Sequence, residues 1–299
     1  MVLTVPKNVL RFLLLADCHG DATQVEAIVR SLSKRSFEPD ATILAGDIGG
    51  TVHPSLLFSY LILRRNLKRS QYAHWVFKGK GRRFFEVHQI RSTLSVIKAL
   101  QDLKSRIYAV LGNSDLEIVA SVLSGQRRAD CIFVDRQNIE INGLRVVGIS
   151  GALTYLGKSP IGDNEFSVSS FSQHVTALTK RISLEKKRQM LLITHEAPKL
   201  RLNSLKRGSQ AITNFISIFR PLVAIFGHHH QAPGIFRIGQ TVAINPGPAV
   251  AGHFGILTLD LGSNLTRINV QLFKLPGKKR SFARTIYNIR DWALRRHSN

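Results

Sequence analysis

Five short apolar runs recur along the chain, and each ends abruptly in polar residues of metal-ligating type. Residues 12–16 run into Asp17-Cys18-His19-Gly20-Asp21, residues 41–45 into Gly46-Asp47, and residues 107–111 into Gly112-Asn113-Ser114-Asp115. Residues 190–194 end in His195-Glu196, and residues 222–226 in Gly227-His228-His229-His230. Apolar runs of this length, bounded by turn residues, predict buried strands. Strands that all end in polar ligand sets predict a sheet with its chemistry at the strand ends. Between the runs the spacing turns helical: Val25, Ile28, Val29 and Leu32 share one face, as do Leu94, Ile97, Leu100 and Leu103. Residues 56–67 are apolar at too many positions for a surface helix and predict one packed on both sides. A helix is expected after Asp115 and a strand at 132–134; Asn142-Gly143 between apolar runs then predicts a hairpin. Residues 154–170 read as a loop near the site, 171–187 and 211–219 as helices, and 240–245, 255–261 and 268–273 as strands. Parallel βα units first and antiparallel strands later suggest two sheets face to face with helices outside.

The chain has 299 residues, 44% of them hydrophobic, which is enough for a substantial core. No apolar run approaches the roughly 20 residues that a membrane-spanning helix needs. The first strand begins too near the N-terminus for a signal peptide to precede it. Two cysteines, Cys18 and Cys131, offer no disulfide framework, so a reducing cytoplasm is the expected compartment. Charge changes the picture more. The chain carries 42 Lys and Arg against 19 Asp and Glu, a net charge of +23, which draws polyanions. Residues 64–91 interleave basic residues with Tyr72, Trp75, Phe77, Phe84 and Phe85. Arg64, Arg65, Lys68, Arg69, Lys78, Lys80, Arg82 and Arg83 there are candidate nucleic-acid contacts, because cations neutralise phosphates and aromatics stack on bases. The other reading of this segment is a surface insertion whose aromatics pack inward. Residues 274–299 form a second basic stretch; Phe282, Ile286, Ile289 and Ala293 fall on one face of an expected final helix. The organisation is thus one domain over residues 1–273, with the basic insertion inside it, followed by a basic extension.

Asp, His and Asn together suit a borderline divalent metal such as Mn2+, Fe2+ or Zn2+. Asp17 and His19 stand in an i, i+2 relation, as do His228 and His230, so each pair projects to one side of extended backbone while His229 projects to the other. Two metals would need a shared anionic ligand, and one carboxylate can bridge ions about 3.5–4 Å apart. Such a pair polarises phosphoryl oxygens and holds a hydroxide for in-line attack.

The ordered set Asp17-x-His19, Gly46-Asp47, Gly112-Asn113, His195 and Gly227-His228-x-His230 resembles the calcineurin-like metallophosphoesterases, over about residues 10–262. Asn245-Pro246-Gly247-Pro248 resembles the small prokaryotic members. The resemblance implies an α/β fold, a four-layer α/β/β/α sandwich with two mixed β-sheets and a di-metal site at the strand ends. It implies that Asp17, His19 and His230 hold one metal, that Asn113, His195 and His228 hold the other, and that Asp47 bridges them. Manganese is the favoured ion. Many family members carry a histidine after the Gly-Asn pair, thought to protonate the leaving group. Here that position is Ser114, whose hydroxyl is no acid near neutral pH. A subgroup with cysteine there is described as phosphodiesterases, and Ser114 is most similar to that subgroup. The expected activity is hydrolysis of a nucleotide or nucleic-acid phosphodiester, with Asp47, Asn113, Ser114 and Asp115 as catalytic residues. The alternative is a non-catalytic or weakly catalytic scaffold on the same fold that binds RNA, the ribosome or a protein. RNA or another polyanion is the expected partner, and assembly into a homo-oligomer stays open.

Overall fold

The computed structural model describes residues 8–50, 82–125, 131–154, 162–182, 189–202, 205–262, 265–276, 287–288 and 292–295. The expected helix at 56–67 and Arg64, Arg65, Lys68, Arg69, Lys78 and Lys80 lie outside these residues.

The chain opens with β1 (Val9–Leu15), α1 (Ala22–Ser33), β2 (Ala41–Ala45), α2 (Arg82–Leu100), β3 (Arg106–Val110), α3 (Ile118–Gly125) and β4 (Cys131–Phe133). A hairpin follows, β5 (Asn138–Ile141) and β6 (Leu144–Ile149). Its turn places Asn142 and Gly143 at φ 48° and 84°, the left-handed pair that an Asn-Gly hairpin adopts. Next come β7 (Ala152–Leu153), β8 (Glu165–Phe166), α4 (Val168–Arg181), β9 (Met190–Thr194), β10 (Leu200–Leu202), β11 (Leu205–Arg207) and α5 (Gln210–Phe219). The rest is strand: β12 (Val223–Ile225), β13 (Gly234–Ile238), β14 (Thr241–Asn245), β15 (His253–Asp260), β16 (Leu265–Lys274), β17 (Tyr287–Asn288) and β18 (Trp292–Arg295).

Two mixed sheets result. The first has the order β17-β16-β15-β1-β2-β3-β4, with β18 also on β16; β1 to β4 run parallel, and β15 and β16 add antiparallel. The second has the order β13-β14-β12-β9-β6-β5, parallel within and antiparallel at both edges. The alternation along β1 shows why the strand must be apolar throughout. Leu10, Phe12 and Leu14 pack between the sheets, against Val146, Leu191, Ile193 and Ile225 of the second. Leu13 and Leu15 face the other way, under Val25, Ile28 and Leu32 of α1 and Val96 and Leu100 of α2. The outer face of the second sheet is covered by Phe171, Val175 and Leu178 of α4 and Ile212, Phe215 and Ile216 of α5. The layers are therefore α/β/β/α. Among the described residues no helix is long and apolar enough to cross a membrane.

Three expectations change. Residues 165–166 pair in parallel with 152–153 rather than forming loop, and Ser167 caps a helix that starts at Val168. The strand at 241–245 runs parallel to β12. In the tail, the expected helix gives way at the described positions to strand pairs, Leu272 with Tyr287 and Ile268 with Trp292. Here an open sheet edge offers backbone partners that a lone amphipathic helix would leave unused.

Asp135 ties the two sheets where β4 passes to β5. It bridges Gly148 of β6, and its Oδ1 accepts the Ser150 N–H at 2.7 Å. Ser150 Oγ in turn accepts the Leu111 N–H, at the lip of the third motif. Burial works against charging Asp135, but the His174 imidazole 3.7 Å away, the Ser150 N–H and Arg136 outweigh it and hold the carboxyl below its ordinary range.

Two outcomes follow. Leu14→Ala, between the sheets, costs about 2–5 kcal/mol in urea unfolding, whereas Ile218→Ala, at a half-exposed position, costs under about 0.5 kcal/mol; equal costs would contradict this layering. Asp135 has a depressed folded pKa, so its contribution is full above the ordinary carboxylate value and fades as pH falls through the folded one. Asp135→Asn is therefore less stable than wild type at pH 7, and the gap closes on acidification below about pH 4; a gap independent of pH would contradict it.

Candidate metal centre

The ligand-bearing loops leave the strand ends of both sheets and hydrogen-bond side by side. Asp17 N–H donates to the Gly46 carbonyl at 3.0 Å, His19 N–H to that of Asp47 at 2.9 Å, and Gly227 N–H to that of His195 at 3.1 Å. The Asn245-Pro246-Gly247-Pro248 segment packs behind them: Pro248 bridges Ala16, and Ala249 N–H donates to the Ala16 carbonyl. Asp17, His19, Asp47 and His228 all have positive φ, at 53°, 45°, 51° and 64°. Non-glycine residues seldom adopt that conformation, and it clusters where a site over-determines the backbone. Gly46, at φ 85°, leaves room for the His195 ring, and a Cβ on Gly112 would collide with the Asp47 carboxylate.

The donor atoms converge. His230 Nε2 lies 3.0 Å from Asp17 Oδ1 and 3.3 Å from His19 Nε2. On the other side His195 Nε2 lies 3.1 Å from Asn113 Oδ1 and 3.5 Å from Asp47 Oδ1, with the His228 ring centroid 5.1 Å from that of His195. Asp47 stands between, its Oδ2 3.8 Å from His19 Nε2. Atoms bound to one ion at about 2.1 Å are separated by about 3.0–3.4 Å at right-angled or tetrahedral geometry. The 3.0, 3.1 and 3.3 Å separations fall in that range, so the residues fit a metal, and Asp17, His19 and His230 form one group able to hold it. A second such group, Asp17, Asp47 and His195, shares the central carboxylates. Asp17 and His195 are fully buried, whereas the His230 side chain is 43% exposed and forms the mouth.

The surrounding groups set charge and tautomer. His195 Nδ1 donates to the Ala45 carbonyl at 2.8 Å, leaving Nε2 to face the ligands. Burial opposes charging Asp47, but His195, His19 and the Ser114 N–H outweigh it and keep the carboxyl low. Burial holds the His228 imidazole below its ordinary value, the neutral form a metal requires. Asp115 accepts the N–H groups of Ile48, Gly49 and Gly112, joining the second motif to the third. Burial, helped by the nearby Asp47 charge, pushes its pKa up to about 7. Ser114 holds Asp47 at both oxygens, its N–H donating to Oδ1 at 2.9 Å and its hydroxyl to Oδ2 at 3.0 Å.

Of the basic candidates, Arg83 is exposed on α2. Arg82 forms a two-pronged pair with Asp163, at 2.9 and 2.8 Å, and also meets Glu86. Asp163 and the neighbouring Asn164 hold the third motif, at Glu117 N–H and the Asp115 carbonyl. Gln89, fully buried on α2, brackets the same loop by donating to the Ser114 carbonyl and accepting the Leu116 N–H. Sequence reading passes over Gln89, Asp163 and Asn164, and names Glu196 only within the fourth motif, without a role. Only Glu196 carries a signal, as the acidic residue next to His195. Glu196 is held below the ordinary range although burial opposes its charge, because His229 and the Leu153 N–H outweigh it.

Comparison with known proteins bears on this arrangement. A solved crystal structure superposes with a TM-score of 0.66 at 17% identity, covering 90% of this chain and 100% of that one. The crystal structure of TT1561 from Thermus thermophilus superposes with a TM-score of 0.56 at 15% identity, covering 85% and 95%. At these identities the likeness concerns the fold alone. No curated protein matches the sequence. Residues 89–261, more than half of the chain, match the profile of the calcineurin-like phosphoesterase superfamily domain. With that match, the chain belongs to the calcineurin-like phosphoesterase superfamily, and it is a phosphoesterase by family.

Proposed function

We propose that the chain is a phosphodiesterase that uses two divalent transition-metal ions, manganese favoured, on a nucleotide or nucleic-acid type phosphodiester. Asp17, His19 and His230 would hold one ion, Asn113, His195 and His228 the other, and Asp47 would be shared. When bound, the ions supply Lewis-acid polarisation of phosphoryl oxygens and an acidified water as nucleophile. The chain's own residues preorganise the rest. Asp47 keeps its charge in a buried place, Asp115 fixes the loops that carry Asp47 and Asn113, and His230 leaves the mouth open to substrate.

The observation that carries the diester reading is Ser114. Its hydroxyl is turned onto Asp47, at a position where many relatives by resemblance have an imidazole acid. A phosphate monoester reacts through a loose transition state that loads charge on the departing oxygen, which makes a neighbouring acid valuable. A diester relies on it less. In the presence of Mn2+, bis-(p-nitrophenyl) phosphate is expected to turn over faster than p-nitrophenyl phosphate. Asp47→Asn is expected to reduce both by roughly 100-fold or more, and Ser114→His to shift the ratio towards the monoester. Equal or faster monoester turnover by the wild type would contradict the reading.

The net charge of +23 supports a polyanionic partner, served by the basic stretch 64–91 and the tail, with Arg82 set apart by its pair with Asp163. RNA affinity is expected to fall steeply between about 50 and 200 mM salt and to survive Asp47→Asn; affinity indifferent to salt would remove this role. The expected compartment is a reducing cytoplasm, in keeping with two free, buried cysteines.

A further inference from the structure

Asp17 joins both groups of the centre, with His19 and His230 in one and with Asp47 and His195 in the other, whereas His228 belongs to neither and meets the His195 ring edge-on. A further buried carboxylate stands behind His228, reached through His229. Glu196 follows His195 in sequence and is fully buried. Its Oε1 accepts the Ala197 N–H at 3.0 Å and meets His229 Nε2 at 3.3 Å; its Oε2 accepts the Leu153 N–H at 2.8 Å. The Thr194 hydroxyl fixes the Glu196 carbonyl at 2.7 Å.

His229 lies between His228 and His230, with its residue only 8% exposed. Its carbonyl accepts from Asn245 Nδ2, which also holds Ala232 and so pins the loop from below. Its ring meets the edge of His228 at 5.0 Å between centroids, and His228 meets His195 at 5.1 Å. The contacts close a circuit: His195 is bonded to Glu196, Glu196 pairs with His229, His229 packs on His228, and His228 packs on His195. The His228 imidazole is therefore braced by a side-chain pair that is not itself part of the ligand set, while His195 is held by its own bond to the Ala45 carbonyl. Asp17 braces both halves, meeting His230 at 3.0 Å and accepting the His228 N–H at 3.1 Å.

We propose that Glu196 and His229 are a positioning pair that selectively sets the affinity of the His195/His228 half for its metal ion. They do so by bracing the His228 imidazole through the His229 ring. Outer partners of this kind are worth roughly 10–100-fold in metal affinity. The inference rests on the two-metal reading above, and the test separates the two.

The metal-stripped full-length chain is titrated with Mn2+ by calorimetry, and its low-temperature electron paramagnetic resonance spectrum is recorded at each step. Wild type is expected to bind two ions and to show a spin-coupled dinuclear spectrum. Wild type that binds one ion or none overturns the two-metal reading, and the proposal with it, before any variant is made. Given two ions in wild type, Glu196→Gln and His229→Phe are expected to weaken the second ion roughly 10-fold or more, leave the first nearly unchanged, and show the spectrum of isolated Mn2+. His229→Gln, which keeps a donor towards Glu196, is expected to restore coupling. His229→Phe leaves the Glu196 bonds to Leu153 and Ala197 intact and decides the matter if Glu196→Gln does not fold. A folded variant that keeps two ions and the coupled spectrum overturns the proposal, and so does an equal weakening of both ions.

Discussion

A single negative charge, the Asp47 carboxylate, stands where both sheets deliver their strand ends, and the site is arranged around keeping it there. An unpaired buried carboxylate costs several kcal/mol, so it persists only when neighbours compensate it. Ser114 donates to both its oxygens, His195 and His19 approach it, and Gly112 has no side chain because the carboxylate occupies that space. Its backbone is held at a left-handed φ of 51°, which the flanking loop hydrogen bonds enforce. Burial, helped by that same carboxylate, raises Asp115, which accepts N–H groups from both loops and so joins them. Such concentrated negative charge and imidazole in a dry interior is unstable electrostatics for a chain alone and favourable electrostatics around a cation.

Much of this is legible in the sequence because strand ends are written in it. Apolar runs such as 12–16 and 190–194 have no other use than burial on both faces, and the residues that follow them must then sit at one edge of a sheet. That logic alone brings Asp17, Asp47, Asn113, His195 and His228 together. It expects extended backbone at both ligand pairs, whereas Asp17, His19 and His228 have left-handed φ and the His229 ring packs on the edge of His228. It does not reveal what His229 faces, since the pairing with Glu196 joins positions 33 residues apart in the chain.

The failures have the same origin. The tail shows a helical spacing of apolar residues, yet Trp292 and Leu294 lie along β16, because an open sheet edge decides the matter and no local pattern reports one. In the sequence Arg82 is one more cation in a basic stretch. Its two-pronged contact with Asp163 assigns it to holding the segment that braces the third motif. Gln89 is hidden for a similar reason: a polar residue on a helix reads as surface, and only the fold shows it fully buried against the Ser114 loop. Individual ligands are therefore readable, whereas the supports that make them rigid belong to tertiary structure.

The central claim is that Asp47 is shared between two cations. Crystals of the full chain soaked in Mn2+ and measured at the manganese absorption edge test it directly. The account requires two anomalous peaks flanking the Asp47 carboxylate, about 3.5–4 Å apart, one against Asp17, His19 and His230 and the other against Asn113, His195 and His228. A single peak remote from Asp47, or none at saturating Mn2+, would contradict it.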